Sequence, residues 1–150
     1  MQSDSVFVTD RVWALLFTRL ILGIDFLMAG IWKVFTLGPA EHVNRYFLPA
    51  ADTFLPLWSL WAVGWSIPFI ELVTGGMIIA GLRTRVALIL LGFVLAIVAF
   101  GHLLLQPLFS FSTHLFPRLV LLIFLLAMPR HDDRMSIDWL LEWRRRVERH

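Results

Sequence analysis

Residues 19–33, RLILGIDFLMAGIWK, are apolar enough to enter a lipid bilayer, yet they carry Arg19, Asp25 and Lys33. A soluble helix keeps one polar face for water, but here leucine, isoleucine, phenylalanine, methionine and tryptophan spread around most of the circumference. A helix that is apolar nearly all round belongs in a bilayer or a very large core. The composition of the chain decides between them. Hydrophobic residues make up 59% of 150 and the mean hydropathy is +0.77, against roughly 45–50% apolar usage in a soluble domain. One domain of this length cannot hide that much apolar surface from water. The sequence predicts a single all-α membrane domain over residues 1–150.

Four apolar segments stand out, at about 12–37, 57–82, 86–108 and 112–128. A helix needs about 20 residues to cross ~30 Å of hydrocarbon. The first three meet that length. The fourth is shorter and has Pro117 and Arg118 near its start. Proline is tolerated in a first helical turn, and arginine can snorkel. The expected architecture is a four-transmembrane-helix antiparallel bundle. Gly38-Pro39, Gly81, Gln106-Pro107 and Pro129 punctuate the spans as turn residues do. The start, MQSDSVFVTDR, has two acids before its first arginine and no signal-peptide pattern.

The charge is unevenly placed. Arg130, Arg134, Arg144, Arg145, Arg146 and Arg149 all fall in the basic tail, residues 130–150. With four spans, this tail shares a side with Arg11 and the LRTR tetrapeptide at 82–85. The positive-inside rule then places both termini in the cytoplasm, in a multi-pass inner (plasma) membrane protein. Within the tail, MSIDWLLEWRRRVERH reads as a short amphipathic helix capped by Ser136, with its arginines facing anionic headgroups. No recognition fold accompanies the basic residues, so nucleic acid is not an expected partner. The chain has no cysteine, which removes disulfide, thiolate–metal and thiol redox chemistry.

Advancing about 100° per residue from Arg19 places Gly23, Phe26, Gly30 and Lys33 within roughly 40° of one line. That seam, with its glycines, suits a closely approaching helix. On the second span Gly64, Glu71, Gly75 and Ile78 share a face, with Pro68 as a bend. If the spans start level, Arg19 lies ~10 Å and Glu71 ~15 Å from the same membrane face. The expectation is a buried Arg19–Glu71 ion pair. Asp25 lies off the seam. Midmembrane acids are functional candidates by default, and an Asp25–His102 contact would make a proton-accepting site. Asp25, Lys33 and His102 are the proton and quinone-site candidates, with Lys33 also readable as a snorkelling interfacial lysine. Catalytic residues stay unassigned. His102 and His114 match no standard ligand spacing, so no metal and no intrinsic cofactor is expected.

The same residues carry a family resemblance. RLILGIDFLMAGIWKVF resembles the first-helix motif of the DoxX family. ELVTGGMIIAGLRTRVALILL resembles its second motif, His102 its third-helix histidine, and MPRHDDRMSIDWLL its closing motif. The matching polar residues are Arg19, Lys33, Glu71, Arg85 and His102, whereas Asp25 stands where the family usually has an apolar residue. The resemblance implies a small four-helix inner-membrane protein, linked through family members to thiosulfate:quinone oxidoreduction and to membrane-bound oxidative-stress complexes. The functional expectation is therefore a membrane subunit of a quinone-linked redox complex. Its partners would be the bilayer and a redox protein that supplies electrons, with self-association left open. The alternative is a non-enzymatic membrane scaffold or a small-solute permease.

Overall fold

The computed structural model describes residues 2–106, 115–129 and 132–148, with residues 2–9 described by backbone alone. All regular structure among the described residues is helical. Helix α1 (Gln2–Ile31) starts ten residues before the apolar run at Val12 and passes into one π-helical turn, Trp32–Leu37. Gly38, at φ +85°, ends it, and Pro39 opens α2 (Pro39–Tyr46), where a missing N–H breaks no bond. After a 3₁₀ turn at Leu48–Ala50 comes α3 (Leu57–Ala80). Gly81, at φ +67°, closes α3: its amide bonds Ile78 O and the Leu82 amide bonds Met77 O. This left-handed closure favours glycine because a Cβ would be strained. Next are α4 (Thr84–Leu105), α5 (Leu115–Ala127) and α6 (Ile137–Val147). Ser136 caps α6 by accepting from the Trp139 amide at 3.1 Å.

Three helices are long and apolar enough to cross a membrane: Asp10–Leu37, Leu57–Ala80 and Thr84–Leu105. The described part of α5 is 13 residues, or about 20 Å, short of a ~30 Å hydrocarbon core. Residues 107–114, which hold the expected start of the fourth span and His114, lie outside the described residues.

Helices α1 and α3 pack along the glycine seam. Gly23 backs onto Gly75 and Ile79, and Gly30 backs onto Leu72, so the two helices run in opposite directions. Leu22 and Phe26 from α1 join Ile78, Leu88, Leu91 and Leu122 in one buried cluster. The opposite side of α1 exposes Trp13, Phe17, Ile21, Ile24 and Met28. They recur every three to four residues, the spacing of one helical face. Ile89, Phe93, Ile97 and Phe100 do the same on α4. Water would penalise so large an apolar surface, whereas acyl chains solvate it.

Candidate functional site

Four charged side chains come together between helices, with Lys33 and Glu71 the more buried pair and Asp25 and Arg118 the more open one. Lys33 sits in the π turn, where one extra residue per turn re-aims side chains and which often marks functional sites. Its Nζ donates to Glu71 Oε2 at 2.6 Å, with the Glu71 side chain only 3% exposed. Arg118, from α5, grips Asp25 with two parallel bonds: Nε to Oδ2 at 2.6 Å and Nη2 to Oδ1 at 2.9 Å. This fork-to-fork geometry is the strong form of the carboxylate–guanidinium contact. The guanidinium carbon also stands 5.3 Å over the Phe26 ring, a cation–π distance. Glu71 lies within electrostatic reach of Arg118 and Asp25 as well as of Lys33. The two pairs therefore form one network of two cations and two anions, with no net charge. That neutrality lets ionisable groups persist away from water, because each desolvated charge has an opposite one beside it.

These contacts correct the pairing read from the sequence. Arg19 and Glu71 are both buried, at 2% exposure each, but they are not partners. Fourteen residues separate Arg19 from Lys33, about 21 Å of helix, and Lys33 is the residue at Glu71's level. The expectation set the helix ends level, yet α1 begins ten residues early, and the Gly30–Leu72 contact fixes a different register. Asp25 gives both oxygens to Arg118 instead of meeting His102. His102 is on an exposed part of α4, with Nδ1 2.8 Å from Val98 O in its own helix. Asp25 and Lys33 therefore share a network that His102 does not join among the described contacts. Lys33 is an internal ion-pair partner and not a snorkelling lysine.

Arg19 serves the other end. Its Nη1 donates to both oxygens of Asp133 at 2.8 Å, and its Nη2 donates to Met135 O at 2.8 Å. Gly81 packs against the same guanidinium. Asp138 accepts from the amides of Arg83 and Thr84 at 2.7 and 3.0 Å, which satisfies the start of α4. Arg85 Nη2 donates to Met128 O at 2.8 Å, just beyond α5. The Arg19 region, the GLRTR turn and the MSIDW segment, far apart in sequence, thus close one end of the bundle together.

Sequence reasoning missed a link at the network end. Pro68 lies within α3 and has no N–H, so Gly64 O, four residues back, lacks its helical donor. Buried His42, from α2, fills that vacancy: its Nδ1 is 2.8 Å from Gly64 O. A carbonyl only accepts, so Nδ1 carries the proton. The signal was present in the sequence, since a helix-internal proline always frees the carbonyl four residues earlier, but the residue that answers it was not. Burial holds the His42 pKa below its ordinary value, opposed by the Gly64 bond and assisted by the charge of nearby Lys33. A lowered folded-state pKa means the folded protein binds this proton less well than the unfolded chain. The His42 contribution to stability is therefore complete above about pH 6.5 and is lost as pH falls through the lower folded value. His42→Ala is expected to cost about 1–3 kcal/mol by leaving a buried carbonyl unpaired. Pro68→Ala, which restores the helical donor, is expected to recover most of that loss. Thermal unfolding of the two single variants and the double variant checks this, and equal losses with and without proline would refute the link.

Charged pairs set between helices that are apolar outside define a polytopic helical membrane protein. The chain belongs to the DoxX family, whose model matches residues 14–103. No curated protein matches it, and no solved structure does. The matched stretch holds Arg19, Asp25, Lys33, Glu71 and His102. It stops before Arg118 and Asp133, the partners that neutralise Asp25 and Arg19.

Proposed function

We propose that the chain is a four-span inner-membrane subunit of a quinone-linked redox complex, and that the four-charge network is its quinone and proton site. The observation that carries this is the graded opening of the network. The Asp25 side chain is 41% and Arg118 26% exposed, whereas Lys33 is 19% and Glu71 3% exposed. One ion pair thus borders the surface between α1 and α5, and the other lies behind it.

The donor set fits a quinone headgroup. Lys33 and Arg118 can donate hydrogen bonds to carbonyl oxygens. When bound, a quinone supplies two-electron, two-proton redox chemistry. In this reading Glu71 and Asp25 hold and pass protons, with Lys33 and Arg118 stabilising whichever carboxylate is ionised. Electrons come from a partner protein. In this reading α5 belongs to the fourth antiparallel span. The arginine-rich end with Arg11, Arg83, Arg85 and Arg144–Arg146 then faces the cytoplasm, together with both termini.

Quinone titration of the protein in lipid nanodiscs, read by tryptophan fluorescence, tests the reading. Lys33→Met with Glu71→Met removes a donor and an acid while leaving no lone charge. We expect saturable binding that this pair of changes weakens about tenfold, or ~1.4 kcal/mol. Absence of saturable binding by the folded wild-type protein would favour the scaffold or permease alternative.

A further inference from the structure

A cavity of 610 Å³ opens at the end of the molecule closed by Arg19, away from the four-charge network. Its floor includes Leu15, Leu88 and Leu125, all buried, from α1, α4 and α5. Its rim carries Arg83, Arg85 and Arg145, with Trp139 and Leu141 of α6 beside them. None of these three arginines forms an ion pair with a described residue. Three carboxylates also border the cavity, but two are committed. Asp133 holds Arg19, and Asp138 holds the amides that begin α4. Glu142 is the third, against three arginines. In the wall, Thr84 Oγ1 is buried without a hydrogen-bond partner among the described residues. A buried hydroxyl left unsatisfied is uncommon and calls for an explanation such as a ligand.

The molecule that satisfies this wall has an anionic, oxygen-rich head and an apolar chain. The cavity lies where the apolar exterior of the spans gives way to the arginines of α6. Beside it α6 exposes Ile137, Leu140, Trp143 and Val147, the apolar face of a helix that lies in a membrane interface. Basic pockets at the ends of membrane helices hold anionic lipid headgroups.

We propose that this cavity binds one anionic phospholipid, with its phosphate on the Arg83 and Arg145 rim and its acyl chain along the Leu88 and Leu125 floor. Thr84 supplies a hydroxyl to the headgroup oxygens. Bound there, the lipid ties α6 to the α3–α4 turn. The proposal is independent of the quinone reading, because no residue of the four-charge network lines this cavity.

Two variants with equal loss of charge separate a built site from general attraction of a basic tail. Arg83→Asn with Arg145→Gln strips the rim. Asparagine suits position 83 because its backbone is left-handed, at φ +46°. Arg144→Gln with Arg146→Gln removes the same charge outside the rim. Each full-length protein is incubated with equimolar phosphatidylglycerol and phosphatidylcholine, and retained lipid is counted by native mass spectrometry. The wild type is expected to retain phosphatidylglycerol preferentially. The rim variant is expected to lose about tenfold of that retention, while the control variant stays within about twofold. Equal losses in both variants, or no loss in either, would overturn the proposal. A second measurement uses the wild type alone: short-chain phosphatidylglycerol should displace the retained lipid and inorganic phosphate should not. Equal displacement by phosphate would assign the rim to a free anion and defeat the lipid.

Discussion

Gly30→Val is expected to abolish accumulation of folded protein in the membrane, while Gly92→Val leaves it unchanged. A Cβ at residue 30 would sit 2.5 Å from the Leu72 amide nitrogen and 2.7 Å from its Cα. Both atoms are backbone, so no rotamer change relieves the contact. The helices must separate or slide. Overpacking that flexible side chains can absorb costs about 1–3 kcal/mol. A backbone collision at the main interhelical contact should exceed that range and take a large share of the ~5–15 kcal/mol that holds a typical protein folded. The damage also spreads, because Lys33 follows Gly30 by three residues and must keep its 2.6 Å reach to Glu71. Gly92 is the matched control: a Cβ there meets nothing within 4 Å, and the change in helix propensity is the same. Fluorescence-detected size exclusion with a thermal melt reads both variants. Normal folding of Gly30→Val would show that α1 and α3 do not approach as described.

The second large effect is expected at the other end. Asp133→Asn leaves the Arg19 cation buried, at 2% exposure, with the Met135 carbonyl as its remaining strong acceptor. Removing one member of a buried pair costs about 3–5 kcal/mol. The Asp133 side chain is 19% exposed, which places the expected loss near the lower figure, about 3 kcal/mol. Combining it with Arg19→Met removes the stranded charge, so the double variant should be more stable than Asp133→Asn alone. Glu41→Gln breaks the exposed Glu41–Arg45 pair and is expected to change stability by less than about 1 kcal/mol. Reversible unfolding in mixed micelles measures all four proteins. A loss at Asp133 no larger than at Glu41 would contradict the role given to Arg19.

These two predictions show which parts of the molecule were legible in the sequence. The face shared by Arg19, Gly23, Phe26, Gly30 and Lys33 follows from helical periodicity, and so does the one shared by Gly64, Glu71, Gly75 and Ile78. The two faces meet where Gly23 and Gly30 back onto Gly75 and Leu72, while Gly64 backs onto Val43 and Phe47 instead. Which charge meets which was not legible, because periodicity fixes direction around a helix and says nothing about how far one helix has slid along another. The glycine contacts set that slide, and they pair Glu71 with Lys33. Asp133 was hidden for a different reason. It lies in a connection after Pro129, where no period applies, although two consecutive acids at the same end as Arg19 were a usable hint. Arg118 was read as snorkelling to the surface. Its true partner, Asp25, lies 93 residues away in sequence, and only the packing of α5 on α1 brings them together.

The polar groups of the first span pair across helices as Lys33 with Glu71 and Asp25 with Arg118. The chain has no native cysteine, so cysteine pairs can be placed at 33/71, 25/118 and 19/71 and treated in native membranes with a short bifunctional thiol reagent. Intramolecular cross-links are expected at 33/71 and 25/118 and none at 19/71, because residue 19 is about 21 Å of helix away from the Lys33 level. A cross-link at 19/71 with none at 33/71 would contradict this pairing.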